Sequence, residues 1–383
     1  MKKQLIAMAV AAGMVAPMAA MAEATVYGLA HMSIDFGDDG QDSSMNVSSN
    51  ASRLGFKASH DLDNGMKAGV QFEGQVDVDQ TGYNMNRNSF ASLGGGFGEF
   101  RIGNHDTPFK DVRSKLDMFG DRVGDLRNLT RWGAINANSG AWVNQWDERF
   151  KNSILYISPK FADSWVIKAH YTTNQYQEPA DGEYANGDAA YSLGVNGMIG
   201  PVGIWLAYEN YDFQDVRTSP TTVNTTDSTT GMRVGLQYKG GPLLVNFMYQ
   251  STADGRVFDP TTGQSTGDKF DKDVMSLGLG WKMGKNTIKF QYAMADDLSC
   301  TGPNVAAGDC DKTAASMFGI GLDHALSKQT TVYIMYAVTQ NDDNADYRVT
   351  SGGGHGDDIG MTPDSTGKAQ DPSSFSVGTI VKF

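Results

Sequence analysis

The sequence predicts an all-β chain, a single closed antiparallel barrel of about sixteen strands that crosses a membrane. Three observations carry this expectation. Hydrophobicity alternates with a period of two along strand-length segments, and the connections alternate between tight turns and long polar loops. An export leader opens the chain, and no later stretch is apolar enough for a membrane helix.

The leader comes first. Lys2 and Lys3 precede an apolar run from Leu5 to Val15, and Ala20-Met21-Ala22 supplies the small residues of a signal-peptidase site. Residues 1–22 are therefore expected to be removed, leaving a mature chain from Glu23. No linker or composition shift divides residues 23–383, so one large sheet fits them better than several globular domains.

The first strand, Thr25 to Phe36, sets Val26, Gly28, Ala30, Met32, Ile34 and Phe36 on one face against Tyr27, His31, Ser33 and Asp35 on the other. In Gly231 to Lys239, Met232, Val234, Leu236 and Tyr238 oppose Arg233, Gln237 and Lys239. In Thr287 to Met294, Ile288, Phe290, Tyr292 and Met294 oppose Lys289 and Gln291. The last segment, Phe375 to Phe383, puts Phe375, Val377, Thr379, Val381 and Phe383 outward, with Ser376, Gly378, Ile380 and Lys382 inward.

Alternation alone suits a soluble sandwich or a membrane barrel, and the connections discriminate. The short ones are Asp61 to Gly65, Gly94 to Gly98, Pro159 to Asp163, Ile199 to Pro201, Gly240 to Pro242, Met283 to Asn286 and Asp323 to Lys328. Between them lie Gly37 to Asn50, Asp79 to Asn86, His105 to Glu148, Asn174 to Gly187, Gln214 to Thr230, Thr252 to Asp271, Asp297 to Lys312 and Asn341 to Pro372. A sandwich has no reason to keep this regularity, whereas a barrel with short periplasmic turns and long extracellular loops does. In hydrocarbon an open sheet edge would strand its N–H and C=O groups, so the last strand must meet the first.

Formal net charge is −13. That balance excludes nucleic acid as a partner, because displacing counterions from phosphates needs a basic face. The only cysteines, Cys300 and Cys310, lie close together in a polar segment; in an exported chain they read as one disulfide closing a short loop. A metal site would need more thiols or nearby imidazoles, so no metal or other cofactor is expected. Gly263-Gln264-Ser265-Thr266-Gly267 matches the G-x-S-x-G pattern but sits in a polar loop without the strand and helix that would expose its serine. No enzyme activity is expected from it.

Several motifs in series resemble the general, nonspecific porins of Gram-negative bacteria. They begin with Val26-Tyr27-Gly28, Ser52-Arg53-Leu54-Gly55-Phe56-Lys57 and Leu62-Asp63-Asn64-Gly65. Phe90-Ala91-Ser92-Leu93, Phe100-Arg101-Ile102-Gly103 and the run from Arg149 to Pro159 follow. The resemblance covers the whole chain after the leader. It implies a homotrimer in the bacterial outer membrane, among membrane lipid and lipopolysaccharide, passing small hydrophilic solutes and ions by passive diffusion. Phe383 is similar to the C-terminal aromatic by which such barrels are recognised for assembly.

In this family the third loop folds into the lumen and narrows it, and His105 to Glu148 is the third loop here. Asp117-Met118-Phe119-Gly120-Asp121 resembles its acidic tip, and the resemblance places Asp111, Asp117, Asp121 and Asp125 at the constriction facing Arg53, Arg87 and Arg101. Strand parity independently puts those three arginines, with Lys57, Arg149, Lys151, Lys168, Arg233 and Lys289, on the inward face. Acid on one side and base on the other would set a transverse field that favours hydrated polar solutes. Each basic residue could instead pair with a neighbouring carboxylate and fix wall geometry, and each loop acid could belong to a solvated face. The acidic loops lean the expectation towards weak cation preference. A substrate-selective channel of the same fold is the alternative, and an outer-membrane enzyme or adhesin a third; the acidic eighth loop has no assigned role.

Overall fold

The computed structural model describes residues 23–80, 82–131, 146–173, 189–214, 226–258, 265–303, 305–308, 310–350, 355–356, 359–360 and 362–383. The expected leader, residues 1–22, lies outside them, as do Gly263 and Gln264 of the serine pattern.

Sixteen strands close into one antiparallel barrel among the described residues. They are β1 (Glu23–Asp38), β2 (Ser43–Ser49, resuming as Arg53–Asp61), β3 (Lys67–Asp77), β4 (Gly82–Asn84, resuming as Ser89–Gly95), β5 (Gly98–Asp106), β6 (Arg149–Ile157), β7 (Val166–Thr172) and β8 (Ala189–Ile199). The second half is β9 (Val202–Gln214), β10 (Thr226–Gly240), β11 (Leu243–Phe258), β12 (Ser265–Met283), β13 (Asn286–Ala295, resuming as Ser299–Thr301), β14 (Ala315–Ala325), β15 (Thr330–Asn341) and β16 (Ser373–Lys382). Each strand pairs with its chain neighbours. The ring closes between β1 and β16 in the register Leu29↔Lys382 through Asp38↔Ser373.

The alternation works as the sequence predicts. Ile102 is 64% exposed, and Ile288, Val377 and Phe36 also stand on the outer surface, while Arg233, Gln291, His31 and Asp35 are buried inside. Outward residues meet hydrocarbon and must be apolar; inward ones escape that requirement. Three of the tight turns, after β8, β10 and β12, have two residues between paired strand ends, and Gly200, Gly241 and Gly284 occupy them at φ of 56°, 55° and 60°. A left-handed residue matches the twist of a two-residue hairpin, and glycine adopts it without penalty.

Several expected loops carry paired strand, among them Asp79 to Asn86, where Gly82–Asn84 pairs with Gln75–Asp77, and Asp297 to Lys312, where Ser299–Thr301 pairs with Lys269–Asp271. Most of Gly37 to Asn50 continues the hairpin, Ser43–Ser49 pairing with Met32–Asp38, and the β11–β12 ladder runs out to Phe258 and Ser265. Polarity marks where a strand leaves the bilayer, but it does not oblige the ladder to stop. Near β12, Cys300 and Cys310 form the expected disulfide, Cα atoms 6.1 Å apart.

The barrel interior contains its own apolar core. Between β5 and β6 the third loop enters the lumen as helix α1 (Pro108–Leu116) and a short α2 (Arg127–Thr130). Thr107 caps α1, its Oγ1 accepting from the Lys110 N–H at 3.1 Å, with Pro108 at the start where a missing N–H is harmless. The apolar face of α1, Phe109, Val112 and Leu116, packs against β8 to β10. The wall makes room with inward glycines. A Cβ on Gly235 would lie 2.3 Å from Leu116 Cδ1, one on Gly278 2.6 Å from Met118 Cγ, and one on Gly319 2.9 Å from Phe119. This half of the wall is a trough shaped for the loop.

Candidate functional site: the lumen constriction

With loop 3 seated on β8 to β14, the open space lies on the other side. A cavity of about 900 Å³ runs between the loop and the wall formed by β1 to β6 and the chain terminus. The wall contributes Tyr27, Arg53, Glu73, Arg87, Asp106, Arg149, Lys151 and Lys382, and the loop contributes Lys110, Arg113, Asp121, Arg127, Arg131, Asp147 and Glu148.

Each acid on this surface faces a base. Arg87 Nε is 2.6 Å from Glu73 Oε1, whose other oxygen accepts from the Tyr27 hydroxyl at 2.9 Å. Asp106 lies 2.9 Å from Lys110 Nζ and 3.2 Å from Arg149 Nε. Asp121 holds Arg127 at 2.6 Å, and Arg131 pairs with Glu148. Among the described residues Arg53 has no ion pair, standing in the cavity wall with Arg87 as neighbour. The lining therefore carries nine basic groups against five acidic ones, the reverse of the chain as a whole.

Beneath the lining, a second set of charges pins the loop. Asp117 and Asp125 are buried inside it, both within reach of Arg113, at 3.1 and 3.3 Å. Asp117 accepts backbone N–H groups from Phe119 (2.9 Å) and Leu126 (3.0 Å); Asp125 accepts from Asp121 (2.7 Å) and Arg127 (2.7 Å). Carboxylates that take several backbone donors fix a loop's path. Burial opposes ionisation of Asp125, but the Arg127 and Arg113 guanidinium groups outweigh it and hold its carboxyl well below the usual range. For Asp117, burial and the charge of Asp125 act together and push the carboxyl up to about 7.

The wall grips the same loop from below. Arg233, fully buried on β10, lies 2.5 Å from Asp147 Oδ1, donates to the Phe109 carbonyl at 3.0 Å, and sits 4.0 Å over the Phe109 ring. Lys289 on β13 meets Asp323 at 2.7 Å and donates to the Met118 carbonyl at 3.2 Å. Arg122 meets Asp323 at 2.7 Å and covers the Tyr333 ring at 4.0 Å.

The expected constriction set thus divides. Arg53, Arg87 and Asp121 line the cavity, with Arg149 and Lys151 from the broader wall set. Asp117 and Asp125 do not, because the loop's own arginines and amides enclose them. Asp111 does not either; it pairs with Lys168 on β7. Arg101 makes two 2.9 Å bonds to Glu99 and stacks 4.6 Å over Phe90, away from the cavity, and Lys57 lies 5.6 Å over the Tyr27 ring. Phe383 exchanges backbone hydrogen bonds with Gly28 at 3.0 and 3.2 Å, sealing the β1–β16 seam. Sequence reasoning missed Glu73, Lys110, Arg113, Arg127, Arg131, Asp147 and Glu148. The bases at 113, 127 and 131 recur among the acids of the loop, and that interleaving was the available signal.

A barrel closed on itself, with a folded loop across its lumen and a charged gap beside the loop, has counterparts among known proteins. Residues 7–344 match the Gram-negative porin family. The chain belongs to that family. It is an outer-membrane protein, as its porin relatives are.

Outer membrane porin protein 32 of Delftia acidovorans is 31% identical to this porin over 207 residues, 51% of this chain and 57% of that protein. The major outer membrane protein P.IB of Neisseria gonorrhoeae is 32% identical over 210 residues, 51% and 53% of the two chains. The chain thus matches little more than half the length of these relatives. Among solved structures, the anion-selective porin from Comamonas acidovorans superimposes with a TM-score of 0.70 at 21% identity, over 94% of this chain and 100% of that one. OmpT of Vibrio cholerae, in its trimer form, gives 0.65 at 15%, over 95% and 100%. At these identities the likeness is one of fold.

Proposed function

We propose that this porin forms a water-filled channel for passive diffusion of ions and small hydrophilic solutes, that it favours anions, and that it catalyses no reaction. The observation that carries the reading is the cavity beside loop 3, lined by nine bases and five acids, each acid already engaged by a base. In a narrow, low-dielectric passage a net positive lining raises the local concentration of anions and depletes cations. This replaces the weak cation preference expected from the acidic loops. Net charge summed over the whole chain does not set the selectivity: charges more than about 10 Å from the ion path are screened by salt, whereas those that line the cavity act on the ion directly.

The further parts of the reading rest on resemblance. The leader, residues 1–22, is removed on export, and residues 23–383 form the one barrel domain, with 105–148 as the constriction loop. Phe383 marks the chain for assembly. Three copies associate, surrounded by outer-membrane lipid and lipopolysaccharide, and a trimer form of the Vibrio cholerae OmpT fold supports that assembly.

Planar-bilayer recording with asymmetric KCl tests the channel. An ohmic conductance whose reversal potential has the sign of chloride permeation is the expected result. A cation-signed potential removes the anion preference, absence of conductance removes the channel, and saturating block by one solute replaces general diffusion with selective transport.

A further inference from the structure

By composition the eighth loop, between β15 and β16, reads as an acidic segment displayed to solvent. Instead, Tyr347, Val349 and Ile359 are buried inside the barrel. We infer that this loop is a positioning element for the constriction, bracing loop 3 from behind so that its charged face stays fixed against the cavity.

Its contacts form a bridge. The Val349 carbonyl accepts two hydrogen bonds from loop 3, from the Gly124 N–H at 2.9 Å and from Asn128 Nδ2 at 2.6 Å. Val349 and Ile359 share one apolar cluster with Phe119 and Val123, and Tyr347 joins the cluster that holds Leu126 and Leu129. The far end is fastened to the opposite wall. His355 Nε2 lies 3.2 Å from Asp35 Oδ2 on β1, both side chains being buried, and the Gly356 N–H donates to Asn50 Oδ1 at 3.1 Å. Ile359 fits against Gly37, where a Cβ would lie 2.4 Å from its Cδ1.

Loop 3 is therefore held between the glycine-lined wall on one side and the eighth loop on the other. Among the described residues none of the eighth loop lines the cavity. The described residues of the eighth loop meet the lining through loop 3, and the point of contact is close to it: Asn128 follows Arg127, whose guanidinium faces the cavity. Burying an apolar segment over loop 3 also removes the water that would otherwise compete for the loop's internal ion pairs.

This inference rests on the channel reading, and the experiment separates the two. The full-length N128A/H355A variant, which removes one bond to loop 3 and the anchor on β1, is compared with the wild type in planar bilayers under asymmetric KCl. Heat-modifiable gel mobility is followed as a separate measure of barrel folding. The expected result is unchanged mobility, open-channel current noise raised about threefold or more, and a reversal potential moved towards zero as Arg127 and Arg131 lose their fixed position. A folded variant with wild-type noise and wild-type reversal potential overturns the brace. A wild type that does not conduct defeats the channel reading instead. If the double variant does not fold, N128A alone is recorded, with the same two outcomes.

Discussion

The two sides of this barrel obey one rule on the outside and different rules within. On β1 to β6 the inward positions carry Tyr27, Arg53, Glu73, Arg149 and Lys151, charged and polar groups facing water. On β8 to β14 the corresponding positions carry Gly194, Gly235, Gly278, Gly319 and Gly321, which receive loop 3. Both sides point apolar residues at lipid. The bilayer dictates the outer face uniformly, while the inner face of each strand is set by whatever it meets, solvent on one side and a folded loop on the other.

If the closed side is held as described, its buried charges are the costliest to disturb. Arg233→Met leaves Asp147, fully buried, with Arg113 as its remaining cationic partner at 3.1 Å. Breaking such a pair typically costs about 3–5 kcal/mol. Denaturant unfolding of the variant in detergent should show that loss, and a change within error would mean that the pair contributes nothing. The trough is next. Gly235→Val places carbon where Leu116 packs, and overpacking of this kind costs about 1–3 kcal/mol. Loop 3 should become sensitive to added protease while the barrel stays intact; equal resistance in variant and wild type would contradict the docking.

The contrast also separates what was legible in the sequence from what was not. Alternation, turn spacing and closure could be read because the bilayer imposes one repetitive constraint on every strand. The inward assignment of Arg53, Arg87 and Arg233 followed from parity alone. Parity does not report what an inward residue touches. Arg233 is a loop anchor, Arg53 a cavity wall, and Arg101 a partner of Glu99, although all three share the same strand pattern. Likewise Asp117, Asp121 and Asp125 look equivalent along the chain. The loop's path then buries two beneath Arg113 and turns one outward, and that path is decided by packing against glycines more than 70 residues away in sequence.

The open side should respond in selectivity and not in stability. Arg53 lines the cavity without an ion pair among the described residues, so Arg53→Glu exchanges one positive lining charge for a negative one. The anion-to-cation permeability ratio is expected to fall about threefold or more. Unfolding should move by no more than about 0.5 kcal/mol, as for other solvated positions. A reversal potential equal to the wild type's would place Arg53 away from the ion path.

The smallest effect tests where the two sides meet, at the loop itself. Burial and the neighbouring charge of Asp125 raise the Asp117 carboxyl to about 7. Between the ordinary carboxylate range and that value, the folded loop keeps a proton that the unfolded chain has released. Stability of the loop therefore falls as pH rises through this window and levels off above it, because the folded state binds more protons than the unfolded one. Asp125, held low by Arg127 and Arg113 against its burial, stays ionised throughout and contributes no slope there. Open-channel noise should accordingly increase from about pH 5 to about pH 8 in the wild type. In Asp117→Asn, whose side chain cannot ionise, noise should be the same at both. Wild-type noise that is flat across that range, or that falls, would mean that Asp117 has already lost its proton and that the loop is held without it.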